Sequence, residues 1–205
     1  MTRRWINTLV VTLAAAGLAS AQESVFDGPV NTVEFTPMTR SEGLSHYLGQ
    51  TFGAGSFAQS AMSAGFAQLN QKPKEWGDGG EGYAKRLGNA YAKHFIRQTL
   101  QYGAATALHE DDRYLVSGQT GFWNRTRYAI ASTFLARKVN GQRTIAFARF
   151  GSAAGAAFIV NTWQPASTSG ADHAARSFGI SIATNLGSNI AREFWPDLKS
   201  RFRRK

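Results

Sequence analysis

Small residues recur at four-residue spacing through most of the chain, and this pattern constrains the fold more than any other feature. The sets are Gly49/Gly53, Gly88/Ala92, Gly103/Ala107, Gly151/Gly155 and Gly179/Ala183/Gly187. Such spacing gives a helix a smooth face, against which a second helix backbone can pack closely. Each glycine inside a helix costs about 1 kcal/mol relative to alanine, so packing must compensate for it. We therefore predict a mainly α protein, a compact bundle of four or five glycine-striped helices, with neighbouring backbones beside Gly151 and Gly155 or beside Gly179 and Gly187.

Start and stop signals locate the first two helices. Thr39 followed by Glu42 fits a capping box, so a helix is predicted to begin there. The stretch 43–71 contains no charged residue and ends before Pro73. A glycine-rich loop over 76–82 then precedes a long second helix, predicted over 83–110.

The second half of the chain predicts further helices and a short β-hairpin. A third helix is expected over 122–134, and Asn140-Gly141 lies between two β-prone runs, as in a hairpin turn. A last long helix is expected over 172–195, with Pro196 ending it.

The first residues have the organisation of an export signal. Arg3 and Arg4 precede an apolar run over 9–18, and the small triplet Ala19-Ser20-Ala21 follows. This pattern predicts a signal peptide over 1–21, cut before Gln22, and a single helical domain with a basic C-terminal tail over 22–205. Arg3-Arg4 also fits the core of a twin-arginine signal, although the basic stretch is short for that route.

Hydropathy does not favour membrane-spanning helices. The best apolar candidate, 150–163, contains 14 residues, about 21 Å as a helix against a hydrocarbon core of roughly 30 Å. Two interpretations remain: a closely packed soluble bundle, or a bundle that lies on or partly in an envelope membrane.

The charge balance indicates the class of partner. The formal net charge is +10, and it remains +8 once Arg3 and Arg4 leave with the signal. In an exported protein this excess points to anionic lipid or envelope polysaccharide, and no nucleic acid partner is expected. The candidate anionic-surface residues are one face of the second helix and the tail: Arg86, Lys93, Arg97, Lys199, Arg201, Arg203, Arg204 and Lys205.

The stretch ALHEDDRYL is the densest cluster of titratable groups in the chain. It forms a candidate functional cluster of His109, Glu110, Asp111, Asp112, Arg113 and Tyr114. Carboxylates at the C-terminal end of a helix oppose the helix dipole, so nearby cations should compensate them. One interpretation is a turn fixed by carboxylate–arginine pairs, using Arg113, Arg125 and Arg127, with Tyr114 or Leu115 in the core.

The alternative interpretation is a catalytic or metal-binding cluster. It would combine His109 with His94 or His173, brought close by the fold. The four histidines, His46, His94, His109 and His173, lack the spacing of metal ligands on one helix. Cysteine is absent, so no thiol nucleophile exists, and the sequence predicts neither a metal site nor a cofactor.

Trp123, Trp163 and Trp195 also have two interpretations. They would form an interfacial belt with nearby arginines, or they would be core aromatics with one polar edge.

Several motifs together resemble a known group of sequences. EWGDGGEGYAKRLG, ALHEDDRY, GFWNRTRYA, RFGSAAGAAFIVNTWQP and FWPDLK are similar to an uncharacterised family of short exported bacterial proteins of the Acidobacteria type. The family usually has proline where this chain has Asp112. The resemblance implies an exported helical protein and supplies no activity.

The functional hypothesis is accordingly an exported cell-envelope protein, located in the periplasm or at a membrane. We expect a non-enzymatic structural or membrane-associated role, with the small-residue stripes also available for association between copies of the chain. The alternative is a periplasmic hydrolase or metal-binding protein centred on His109.

Overall fold

A computed structural model describes residues 35–203 of the chain. The predicted export signal, Arg204 and Lys205 lie outside the described residues. The helices are α1 (Arg40–Phe52), α2 (Ala54–Leu69), α3 (Gly79–Leu108), α4 (Phe122–Phe134), α5 (Phe147–Asn161) and α6 (Ala171–Arg203). Three short strands, β1 (Glu110–Asp111), β2 (Leu135–Lys138) and β3 (Arg143–Ile145), form an antiparallel sheet in that order. The predicted mainly α fold with a short hairpin is confirmed.

The capping box at the start of α1 is also confirmed. The backbone N–H of Thr39 donates to the Glu42 carboxylate at 2.8 Å, and the Glu42 N–H donates to the Thr39 hydroxyl at 3.3 Å. The uncharged stretch 43–71 contains two helices, because the backbone of Gly53 is extended and separates α1 from α2. A Cβ at Gly53 would lie 2.3 Å from the Gly49 carbonyl oxygen, so this close approach requires glycine.

The second predicted helix corresponds to α3, with both ends shifted. It begins at Gly79, inside the predicted loop, and ends at Leu108, where His109 adopts a left-handed conformation with φ 56°. The chain then turns into β1, which sequence patterning did not predict. β1 pairs with β2, placing Glu110 opposite Lys138 and Asp111 opposite Arg137. The hairpin of β2 and β3 turns at Asn140-Gly141, as predicted, with Gly141 at φ 84°.

The described residues divide into two compact units, each built from separated segments. Unit 2 comprises Thr36–Arg113 and Thr133–Gly187, and α3 is its central helix, packed against α1, α2 and α5. Unit 1 contains Tyr114–Ser132 and the last part of α6, residues 188–203.

Pro196 does not end the last helix, so the predicted stop is wrong. α6 continues through Pro196 to Arg203. Proline has no N–H, so the Arg192 carbonyl loses its usual helical donor. In the same part of the helix the Arg125 guanidinium donates to the backbone carbonyl of Glu193, an interaction from another segment that sequence periodicity cannot report.

The predicted close backbone approach at the small-residue stripes is mostly wrong. A Cβ built on Gly151, Gly179 or Gly187 would meet no atom of residues 35–203 within 4 Å. At Gly155 it would lie 3.3 Å from a Leu100 side-chain carbon of α3, so this glycine does face the packed helix. Packing among the described residues therefore does not explain most of these glycines.

Candidate functional site

The ALHEDDRYL stretch is divided among separate structural roles. Asp111 pairs with Arg113 through Nη2–Oδ2 at 2.7 Å and Nε–Oδ1 at 3.0 Å, and Arg113 Nη2 also donates to the Thr36 carbonyl at 2.9 Å. The predicted carboxylate–arginine turn is confirmed for this pair. Asp112 accepts a hydrogen bond from Gln101 at 3.4 Å, and the His109 side chain is exposed.

Glu110 binds the backbone at the N-terminal end of another helix, α5. Its carboxylate accepts the backbone N–H of Ala148, in the first turn of α5, at 3.1 Å. Burial raises the pKa of Glu110 above its ordinary value, against the lowering effect of hydrogen bonds from Ala148 and Phe147. A carboxylate at a helix N-terminus interacts favourably with the helix dipole, so Glu110 stabilises the entry of α5.

Tyr114 belongs to a second cluster, in unit 1, centred on Glu193. The Glu193 side chain is 0% exposed. Its carboxylate accepts the Tyr114 hydroxyl at 2.6 Å, the Ser117 hydroxyl at 2.5 Å and the Ser117 N–H at 3.0 Å. Arg125 Nε completes the shell at 3.2 Å.

Arg125 joins α4 to the last part of α6. Besides Glu193 it pairs with Asp197, and its guanidinium carbon lies 4.4 Å from the centre of the Phe194 ring. The expectation that Arg125 compensates the acidic ALHEDDRYL stretch is therefore wrong. The only sequence signal for this cluster is the four-residue spacing of Glu193 and Asp197, which places both on one helix face.

The hydrogen bonds around Glu193 keep it charged despite its burial. Burial alone would raise the pKa of Glu193, but donors on Ser117, Tyr114 and Arg125 outweigh that effect and hold the pKa below its ordinary value. Conversely, burial and the neighbouring Glu193 carboxylate raise the pKa of Tyr114. The cluster is a neutral hydroxyl pair and a guanidinium surrounding a carboxylate, an arrangement that fixes three segments of unit 1.

The predicted basic face of α3 is wrong at Arg86. This side chain is 2% exposed, and its guanidinium donates to the carbonyls of Lys72, Pro73 and Gly77 and to the Gln68 side chain. A Cβ at Gly82 would lie 2.8 Å from Arg86 Nη1, so glycine there leaves room for the guanidinium. Arg86 closes the turn between α2 and α3 instead of binding an anionic surface.

Lys93 and Arg97 are also withdrawn from the surface. Both side chains are half-buried, and burial lowers the pKa of each below its ordinary value. Arg97 Nη2 donates to Asn185 at 2.7 Å. Of the predicted tail residues, Lys199 is exposed, Arg201 and Arg203 lie in the last turn of α6, and Arg204 and Lys205 fall outside the described part of the chain.

Large apolar side chains lie mainly outside the packed interior. Within residues 35–203 no Leu, Ile, Phe, Met or Trp is buried, and the buried apolar residues are Tyr128, Val160 and eight alanines. Trp123, Trp163 and Trp195 are all exposed, the first by 70%, so their interpretation as core aromatics is wrong. The largest side chains fully shielded from solvent are instead polar, Arg86 and Glu193 foremost.

The histidines form no metal-binding group within the described residues. His94 Nε2 forms a hydrogen bond with the Gln50 carbonyl at 2.8 Å. No group of three His, Cys, Asp or Glu side chains in the described residues is arranged to hold a metal ion. None of the helices between residues 35 and 203 combines the length and apolar character needed to cross a membrane.

Comparison with known proteins found no similarity: no protein-family model, curated protein or solved structure matches this chain.

Proposed function

We propose that this protein is an exported, non-enzymatic component of the bacterial cell envelope that associates with membrane lipid. The observation that supports this role is the distribution of apolar side chains. Leucine, isoleucine and phenylalanine normally fill a protein interior. Here the interior contains alanine and hydrogen-bonded polar groups, while Trp123, Phe158, Trp195 and Phe202 are exposed.

Apolar side chains that are exposed to water favour association with any apolar surface that buries them. Removing one Leu, Phe or Met side chain from water contributes about 1.5–3 kcal/mol. Contact with lipid would provide that burial without a helix crossing the bilayer, because amphipathic surfaces insert only into the headgroup and upper acyl region.

The charge of the protein favours anionic lipid over neutral lipid. Arg127, Arg192 and Lys199 are exposed cations within unit 1, and the chain as a whole carries a net charge of +10. Cations beside exposed aromatic side chains are typical of proteins that bind the membrane interface. Export, expected from residues 1–21, would deliver such a protein to the envelope.

Vesicle flotation tests this role. The protein, recovered from cells that export it, is mixed with vesicles of phosphatidylcholine alone or with added phosphatidylglycerol, at low and high salt. We expect flotation with the anionic vesicles at low salt, weakened but not abolished by high salt, because apolar contacts remain. The recovered protein should begin at Gln22. If it floats with neither vesicle at low salt, the proposed function is wrong.

A further inference from the structure

The exposed end of α6 carries an apolar stripe. Trp195, Leu198 and Phe202 are spaced by three and four residues, which places them within about 60° of one another around the helix. Their side chains are exposed by 62%, 47% and 80%. We call these three residues the α6 stripe.

The opposite face of the same helix segment is turned inward by polar contacts. Glu193 and Asp197 lie about 160° from Trp195 around the helix, and both bind Arg125. This inverts the usual amphipathic arrangement, in which a surface helix packs its apolar face on the protein and turns its polar face to water. Arg125 therefore determines which face of α6 points outward.

Cations flank the α6 stripe. Arg192 and Lys199 are exposed and lie within about 60° of Trp195. The carboxylates of the segment, Glu193 and Asp197, are engaged by Arg125 on the far face. The outward face thus presents a tryptophan, two further apolar side chains and two cations.

We propose that the α6 stripe is the surface by which this protein docks on an anionic bilayer, with α6 lying in the plane of the headgroups. This inference rests on the proposed function and names its lipid-binding element. Charge complementarity favours an anionic bilayer as the partner, because the flanking cations match acidic headgroups while the α6 stripe enters the acyl boundary. Tryptophan is the residue type most suited to that depth.

A second exposed stripe in the chain provides a matched control. Met62, Phe66 and Leu69 of α2 follow the same three- and four-residue spacing and are exposed by 65%, 63% and 82%. Their helix lies in the stretch 43–71, which contains no charged residue. The two stripes therefore match in apolar character and differ in flanking charge.

The experiment compares two triple variants in phosphatidylcholine–phosphatidylglycerol flotation. One replaces the α6 stripe by glutamine (Trp195→Gln, Leu198→Gln, Phe202→Gln), and the other replaces Met62, Phe66 and Leu69 likewise. Glutamine keeps helix propensity, and all six positions are exposed, so both variants should fold, as circular dichroism would verify. We expect the α6 variant to bind at least about tenfold more weakly than the wild type, and the α2 variant to bind nearly as well as the wild type.

A variant without the two flanking cations separates the electrostatic contribution to lipid binding from the apolar contribution. Arg192→Gln with Lys199→Gln should weaken binding roughly fivefold per charge at low salt and reduce its salt dependence. The docking surface is misassigned if the α6 triple variant binds as tightly as the wild type, or loses no more affinity than the α2 variant. Either result leaves the proposed function intact as long as the wild type floats, whereas failure of the wild type would refute the function itself.

Discussion

Arg86 and Glu193 are both charged and both shielded from solvent, yet their charges are satisfied in different ways. Arg86, in unit 2, binds only neutral oxygens, three of them backbone carbonyls. Glu193, in unit 1, binds a guanidinium, two hydroxyls and a backbone N–H. A guanidinium stays protonated at any accessible pH, whereas a carboxylate titrates. The contribution of Arg86 to stability should therefore be independent of pH, whereas the contribution of Glu193 should be lost in acid.

The largest effect is expected at Arg86. Arg86→Met should lower the free energy of unfolding by about 3 kcal/mol or more, because three backbone carbonyls, the Pro73 carbonyl among them buried, lose the same donor together. Chemical denaturation measures this loss. Arg86→Lys is the control, since it keeps the charge without the planar fork and should recover only part of the stability. Equal stability of Arg86→Met and wild type would show that these bonds contribute nothing.

Glu193→Gln should have the next largest effect. The amide keeps the shape of the side chain but removes the charge that Arg125 and Tyr114 bind, at a cost of about 2 kcal/mol. Asp197→Asn provides the matched control, because Asp197 pairs with the same arginine but its side chain is 57% exposed. Its loss should stay below about 1 kcal/mol. Similar losses for both variants would contradict the importance of burial.

The smallest effect is a difference in pH dependence. The pKa of Glu193 is lowered in the folded protein, so its contribution to stability is present above the ordinary value of 4.5 and is lost as pH falls through the folded pKa. The stability gap between wild type and Glu193→Gln should therefore narrow in acid. The gap between wild type and Arg86→Met should stay constant over the same range. If both stability differences change with pH in the same way, Arg86 and Glu193 do not differ in the pH dependence of their contributions.

Features that depend on neighbouring residues were predictable from the sequence. The Thr39–Glu42 capping box requires four consecutive residues, and the Asn140-Gly141 turn needs only the flanking β-prone runs. The Asp111–Arg113 pair is likewise local. In each case the interacting groups lie within a few residues, so chain geometry alone brings them together.

The candidate site was predictable only in part. The sequence correctly marked ALHEDDRYL as a turn with an ion pair, but it did not reveal that Tyr114 joins Glu193, 79 residues away. It also treated Arg86 as a surface cation, since helical spacing with Lys93 and Arg97 resembles a basic face. The carbonyls that bind Arg86 belong to the turn between α2 and α3, and the spacing of residues along a helix does not predict the shape of a turn.

The sequence by itself determined the helical class, the hairpin and the excess of positive charge, because composition and short-range spacing decide these properties. Only the tertiary structure decided which charges are buried, that α6 passes through Pro196, and which face of its last turns points outward. The physical reason is that these outcomes depend on contacts between distant segments, foremost the one between Arg125 of α4 and Glu193 of α6.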